Sequence, residues 1–215
     1  MTRNWVIGID PGLSYDYTAI ALVERSQQWH ARNLAGTLAR EDVHHVQYLY
    51  RWDLGTPYRQ IISEIGVWMQ EEDLRDACIV IDATGVGYEV AQLFLQAHRE
   101  RRLGHFGPRP YVITPGRETT NRLVPKRELI GKLTTLMESD RLKIADELEL
   151  GEQLRHEFRS LRIKPTPTGQ DSYESAREKD HDDIVLAVAL GCWFRHTLTQ
   201  PRLLEPVKEE LIAAT

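Results

Sequence analysis

The sequence is poor in cysteine and contains no long apolar run. Its two cysteines, Cys78 and Cys192, lie within short apolar segments, which favours small buried core residues over a disulfide or a metal site. No stretch of eighteen apolar residues occurs, and the N-terminus has no secretory leader pattern. We therefore expect a cytoplasmic protein, and for a viral protein the cytoplasm of the host cell.

The length and charge of the chain limit the domain count and the function classes. A chain of 215 residues with 41% hydrophobic residues suits one substantial domain, which we place at residues 1–200 with a C-terminal tail at 201–215. The net charge of −5 argues against a nonspecific nucleic-acid binder. Residues 99–132 nevertheless hold nine Lys or Arg against three Glu, which is typical either of a phosphate-facing surface or of a solvated loop and helix face.

Apolar periodicity predicts strands that first form a meander and then alternate with helices. The predicted strands are 5–10, 17–24, one within 29–52, 78–82 and "YVITP". The predicted helices are 57–71, 86–98, one beginning after Pro125, 151–161 and a buried one within "DHDDIVLAVALGCWFRH". Two prolines make "IKPTPTGQDSY" a loop or ribbon. This order predicts an α/β fold whose mixed central sheet carries helices on both faces.

Acidic residues end two strands and open the last helix. Asp10 closes the first strand and Asp82 the fourth, and we expect these strands to be parallel neighbours, because sites in open α/β sheets form at the carboxyl ends of strands. Unit charges a few ångströms apart repel by about 4 kcal/mol at an effective dielectric of 20, so the pair needs a cation or a proton. Asp182 and Asp183 exceed what a helix N-cap requires, which favours a site over capping alone.

Oxygen donors from three places favour a hard divalent cation. Mg²⁺ or Mn²⁺ binds carboxylates and substrate phosphates, whereas Zn²⁺ prefers more His or Cys. Two such ions about 4 Å apart clamp an in-line displacement at phosphorus, so we predict phosphodiester hydrolysis. His181 is expected behind the ligands or as a proton carrier.

Four segments, in this order and spacing, resemble a known family. "VIGIDPGLSYDYTAIALVE", "IVIDATGVGYEVAQLF", "VPKRELIGKLTTLMESDRLKI" and "HDDIVLAVALGCW" look like the nuclease domain of the large terminase subunit of tailed bacteriophages, over residues 4–196. The resemblance implies a ribonuclease H-like fold that binds two Mg²⁺ or Mn²⁺ ions. It also implies double-stranded viral DNA as substrate, together with an ATPase motor domain, the small terminase subunit and the portal as partners, and no membrane.

The resemblance assigns roles to individual residues. It makes Asp10, Asp82 and the pair Asp182 and Asp183 the metal ligands and catalytic residues, without deciding which member of the pair binds directly. Asp16 matches a further acidic position and is otherwise an ordinary turn residue. Lys126 matches a basic position before a helix. With Lys126, the DNA-binding candidates from the basic stretch are Arg117, Arg122 and Arg127.

Three alternatives differ in testable ways. A Holliday-junction resolvase of the RuvC type shares the fold and the acids, but prefers four-way junctions. An actin-like sugar or acetate kinase also begins with "GIDPG", but binds ATP without cleaving DNA, and a noncatalytic DNA-binding module cleaves nothing. The sequence lacks G-x-x-x-x-G-K-[ST], so we expect an excised domain or a stand-alone relative without translocation activity.

Overall fold

A computed structural model describes residues 4–12, 16–31, 38–116, 118–165, 171–175 and 181–194. The predicted tail at 201–215 and the DNA-binding candidate Arg117 lie outside these residues, so both stay predictions. Among the described helices, none is both long and apolar enough to cross a membrane.

A seven-stranded mixed sheet forms the centre of the molecule, in the order β6-β5-β4-β1-β2-β3-β7. A separate two-stranded ribbon, β8-β9, fulfils the prediction of a loop or ribbon near the prolines. The strands of the described residues are β1 (Asn4–Asp10), β2 (Ala19–Ala31), β3 (Leu38–Arg51), β4 (Cys78–Asp82), β5 (Arg109–Thr114), β6 (Leu123–Pro125), β7 (Leu142–Ile144), β8 (Leu161–Pro165) and β9 (Asp171–Ser175).

In the part of the chain that the structure describes, five helices cover the two faces of the sheet, as the periodicity predicts. They are α1 (Tyr58–Trp68), α2 (Gly87–Arg99), α3 (Lys126–Glu138), α4 (Gly151–Ser160) and α5 (Asp183–Trp193). Side chains of α1 and α2 join one hydrophobic core, and those of α3, α4 and α5 join the other. The predicted mixed α/β architecture is therefore confirmed.

The strand directions agree with the predicted meander followed by crossovers. β1, β2 and β3 pair antiparallel, while β4 pairs parallel with β1 and continues through β5 to β6. β6 and β7 are not predicted from the sequence, and β2 ends at Ala31, seven residues beyond its predicted end at residue 24. A three-residue strand such as β6 or β7 is too short to show a period of two. The end of β2 is hidden because the outer part of the β2–β3 hairpin is rich in polar residues.

Candidate active site

Asp10 and Asp82 end neighbouring strands and face the same side of the sheet. β1 and β4 are parallel with Ile9 opposite Ile81, so the two aspartates follow at one edge. Ile9 and Ile81 pack in the core beneath α1 and α2, whereas Val80 packs in the core beneath α5. Because side chains alternate along a strand, both carboxylates lie on the α5 side.

The start of α5 lies at the same edge because this helix packs directly on β1. A Cβ atom added to Gly8 would lie 2.0 Å from the carbonyl oxygen of Ala187, so the two backbones are in contact. Asp183 precedes Ala187 by four residues, about 6 Å along the helix. Asp10 follows Gly8 by two strand residues, about 6.7 Å. Residues Asp10, Asp82, Asp182 and Asp183 are called the acid cluster below.

Thr84 fixes one oxygen of Asp82. Its backbone N–H donates to Oδ1 of Asp82 at 2.8 Å, and its hydroxyl donates to the same oxygen at 2.5 Å. The side chain of Asp82 is therefore held by an Asx-type turn immediately after β4. Its second oxygen, Oδ2, takes no part in this turn.

Lys126 places a positive charge in the acid cluster. Its Nζ lies 2.6 Å from Oδ2 of Asp182, and the two side chains are 25% and 22% exposed. Lys126 opens α3 directly after Pro125, at the carboxyl end of β6, so it lies at the same sheet edge as the acids. Lys126 is thus the first residue of the helix that the sequence predicts after Pro125, and its side chain points to the acids.

The acids at the start of α5 do not cap their own helix. Asp182 occupies the N-cap position, but its side chain forms no capping hydrogen bond within the described residues. The N–H groups of Ile184 and Val185 instead donate to Oε2 of Glu157 at 3.0 and 3.2 Å. The capping explanation for these aspartates is thereby wrong, because a glutamate of α4 performs that role.

The cluster disfavours full ionisation. Burial raises the pKa of Asp10 well above its ordinary value, and the charges of the other three acids raise it further. Burial also raises the pKa of Asp82, and it raises the pKa of Asp183 to about 6. The ammonium of Lys126 opposes these shifts at Asp10 and Asp82. The site therefore favours either bound protons or bound cations.

His181 and Asp16 form the solvent-facing rim of the cluster. Nδ1 of His181 lies 3.7 Å from Oδ1 of Asp16 and 3.8 Å from Oδ2 of Asp183. The ring of Tyr17 contacts His181 edge-on at a centroid distance of 5.4 Å. Asp16 is 64% exposed, so it lies outside the buried group, and it contacts His181 at the rim.

The remaining DNA-binding candidates differ in their positions. Arg127 follows Lys126 in the first turn of α3, near the acid cluster. Arg122 precedes the short strand β6, and burial lowers the pKa of its guanidinium beside Tyr111. Arg127 therefore lies closer to the acid edge than Arg122.

The basic stretch 99–132 does not form one continuous surface. α2 begins against the end of β4, where a Cβ on Gly87 would lie 2.1 Å from the carbonyl oxygen of Asp82. Its 13 residues span about 20 Å, so the arginines after it lie at the opposite edge of the sheet. A cavity of about 950 Å³ between α1 and α2 is lined there by Arg75, Arg99, Arg101 and Arg102, among others.

The donor set fits a hard divalent cation. Oδ2 of Asp183 is buried and has no hydrogen-bond partner in the part of the chain that the structure describes. The 3.8 Å to His181 is too long for a hydrogen bond. Among the described residues, no three acidic, His or Cys side chains already surround one point as ligands. Carboxylate oxygens are the ligands that Mg²⁺ prefers.

Comparison with known proteins finds similar solved structures but no match to the sequence. No protein-family model and no curated protein matches the sequence. The large terminase nuclease of thermophilic phage G20c, solved with bound magnesium, is 21% identical with a TM-score of 0.57, over 88% of this chain and 80% of that one. The Thermus phage P74-26 large terminase nuclease domain is 18% identical with a TM-score of 0.57, over 88% and 78%. The chain has the fold of large terminase nuclease domains.

This terminase nuclease fold also extends to a longer relative. The large terminase of bacteriophage HK97 is 11% identical with a TM-score of 0.54, and the match covers 90% of this chain but 40% of that one. The predicted resemblance is thus confirmed for the fold, including its ribonuclease H-like class.

Within the terminase nuclease fold, two contributors to the site escaped the sequence analysis. Thr84 follows Asp82 by two residues, the spacing of an Asx turn, so its contact with Asp82 could have been predicted from the local sequence. Glu157 is buried between Leu154 and Phe158 on the inward face of α4. A charged residue on the apolar face of a predicted helix is the sequence signal that could have identified it. Its partner could not be read from the sequence, because 27 residues separate Glu157 from Ile184.

Proposed function

We propose that this chain is a divalent-metal-dependent DNA endonuclease, the nuclease of a large terminase, which hydrolyses concatemeric viral double-stranded DNA during genome packaging. The observation that carries the proposal is the acid cluster, in which one oxygen of Asp183 is buried without a hydrogen-bond partner among the described residues. The likeness to terminase nucleases, one of them solved with magnesium, supports both the reaction class and the metal.

Asp10, Asp82 and Asp183 are proposed as the direct ligands of two Mg²⁺ or Mn²⁺ ions. Asp183 is favoured over Asp182 because its Oδ2 lacks a hydrogen-bond partner in the described part of the chain, whereas Asp182 is paired with Lys126. When bound, such ions supply Lewis-acid activation of water and neutralise charge at the phosphoryl oxygens.

The chain's own groups orient the ligands and handle charge. Thr84 holds Oδ1 of Asp82 and so fixes the orientation of this carboxylate. Lys126 neutralises Asp182, and its ammonium also suits a DNA phosphate, which positions the duplex without reading its sequence. His181 stands between Asp16 and Asp183, where its Nδ1 can hold or pass a proton at the rim.

Cleavage of supercoiled plasmid tests the proposal. Wild-type protein is expected to nick and linearise plasmid with Mg²⁺ or Mn²⁺ and to be inactive with EDTA. Asp10→Asn, Asp82→Asn and Asp183→Asn should each reduce the rate at least about a thousandfold, since each removes a group that acts on the transition state. Asp76→Asn is the matched control, because Asp76 is exposed and pairs with His105 before β4.

The same assay separates the alternatives. Full activity in one of the three aspartate variants would remove that residue from the site. Preference for a four-way junction over linear duplex would replace the terminase substrate by that of a resolvase. Inactivity on every DNA form with Mn²⁺ would overturn the endonuclease assignment.

A further inference from the structure

We propose that Glu157 is a positioning residue of the acid cluster, which holds the first turn of α5 so that Asp183 faces Asp10 and Asp82. This inference rests on the proposed function. Glu157 touches none of the proposed reacting groups, and its effect is transmitted through the backbone of α5.

Glu157 binds α5 at the residues that directly follow Asp183. The first four N–H groups of a helix have no intrahelical partner, and a buried helix start needs acceptors for them. Glu157 Oε2 accepts the N–H groups of Ile184 and Val185, the two residues that directly follow Asp183. The backbone that carries the Asp183 side chain is thus fixed from its C-terminal side.

Glu157 itself is firmly held. Its side chain is 1% exposed, and Oε1 accepts a hydrogen bond from Gln153 Nε2 at 3.2 Å. Nη1 of Arg51, at the end of β3, lies 3.7 Å from the same oxygen. Arg51 also stacks on the ring of Tyr17, with 4.2 Å from Cζ to the ring centroid. One carboxylate therefore connects α4, the end of β3 and the start of α5.

Because Glu157 caps α5, the side chains of Asp182 and Asp183 are not needed as caps. Aspartate is among the best N-cap residues, so Asp182 or Asp183 would be expected to bind the free N–H groups of its own helix. With Glu157 in that role, Asp182 is directed to Lys126, and Oδ2 of Asp183 keeps no hydrogen-bond partner within the described residues. The glutamate cap thereby leaves the proposed ligands available for cations.

Mn²⁺ titration calorimetry of Glu157 variants tests the inference. Glu157→Ala is expected to weaken Mn²⁺ binding at least about tenfold, the loss typical of groups that orient metal ligands. Glu157→Gln keeps an acceptor oxygen and should recover affinity to within about threefold. Glu152→Ala is the control, since Glu152 is an exposed residue of the same helix that pairs with Arg155.

Two further readouts separate positioning from a merely structural role. Amide hydrogen exchange at Ile184 and Val185 should be faster in Glu157→Ala and near wild type in Glu157→Gln. A lowered melting temperature with wild-type Mn²⁺ affinity in Glu157→Ala would overturn the inference. If that variant does not fold, Glu157→Asp, which withdraws the carboxylate by one methylene, should weaken Mn²⁺ binding at least threefold, and unchanged affinity there would overturn the inference.

Failure of the inference is distinguishable from failure of the proposed function. A wild-type protein that binds no Mn²⁺, or an Asp183→Asn variant that binds it normally, contradicts the metal site itself. Normal wild-type binding that Glu157→Ala leaves unchanged contradicts only the positioning role.

Discussion

Nζ of Lys126 lies 2.6 Å from Oδ2 of Asp182, although 56 residues separate them in the chain. This contact places one positive charge beside Asp10, Asp82 and Asp183, whose pKa values burial raises. The ammonium therefore acts as the resident counter-ion of the acid cluster.

The first prediction concerns that counter-ion. Lys126→Met keeps the aliphatic stem but removes the charge, and it should destabilise the metal-free protein by roughly 1–3 kcal/mol, between the values of exposed and buried pairs. Saturating Mn²⁺ should reduce the deficit, because the metal supplies the missing positive charge. Urea denaturation with EDTA and with Mn²⁺ measures both effects, and an equal deficit in the two conditions would contradict the role.

The second prediction concerns repulsion within the cluster. Asp10→Asn should raise the free energy of unfolding of the metal-free protein at pH 8 by about 1–3 kcal/mol, because it removes one of several mutually repelling charges. Wild type should gain about 2.7 kcal/mol at a Mn²⁺ concentration 100-fold above Kd, and the variant clearly less. Thermal melts with and without Mn²⁺ check this; a destabilised variant would mean that Asp10 is an ordinary structural acid.

The third prediction concerns the contact between β1 and α5. Gly8→Ala would place a methyl group 2.0 Å from the carbonyl oxygen of Ala187 and 2.9 Å from the nitrogen of Gly191. Both obstacles are backbone, so we expect a loss of at least about 4 kcal/mol or failure to fold. Gly131→Ala in α3 meets nothing within 4 Å and should instead stabilise by roughly 0.5–1 kcal/mol. Chemical denaturation of both variants compares them directly.

The fourth prediction concerns pH and His44. This histidine is 2% exposed, and neither ring nitrogen has a hydrogen-bond partner among the described residues. Burial lowers its pKa to about 3, with the positive charges of Lys132, Arg25 and Arg141 adding to the effect and Asp42 opposing it.

The unfolded chain protonates His44 near pH 6.5, so this residue lowers stability as the pH falls from 6.5 towards 3. At about 1.4 kcal/mol per pH unit, wild type should lose about 2 kcal/mol more than His44→Leu between pH 7 and pH 5. Urea denaturation at both pH values measures this difference. Parallel stability curves for the two proteins would show that His44 is not buried in its neutral form.

The fifth prediction concerns the two halves of the basic stretch. Arg127→Glu, in the first turn of α3, should weaken DNA binding and lower the slope of log affinity against log salt by about one. Arg99→Glu, at the far end of α2, should leave both unchanged, because that end lies about 20 Å from the acids. Filter-binding titrations across salt concentrations test the pair. Equal effects would mean that DNA contacts both edges of the sheet.

The sequence was informative wherever a segment repeats its pattern over several residues. The helix from Tyr58 is predicted because its apolar residues recur with a period of 3.6 over the whole element. The buried strand "CIVID" is predicted because it is a continuous apolar run that ends in an aspartate. β6 and β7, with three residues each, show no period, and only pairing with β5 and β3 defines them as strands.

The candidate site divides in the same way. The positions of Asp10, Asp82 and the Asp182–Asp183 pair were predicted because each follows or opens a strongly patterned element. The pairing of Lys126 with Asp182 and the capping of α5 by Glu157 were not predictable, since both join residues that are distant in sequence.

The sequence by itself determined the longer strands and the helices, and that carboxylates end two strands and open the last helix, because local periodicity depends only on neighbouring residues. Only the tertiary structure decided which carboxylates meet, which is paired with Lys126 and which keeps a buried oxygen without a hydrogen-bond partner in the described residues. Those relations depend on the packing of α5 against β1 through Gly8, a contact between segments about 180 residues apart that no local pattern encodes.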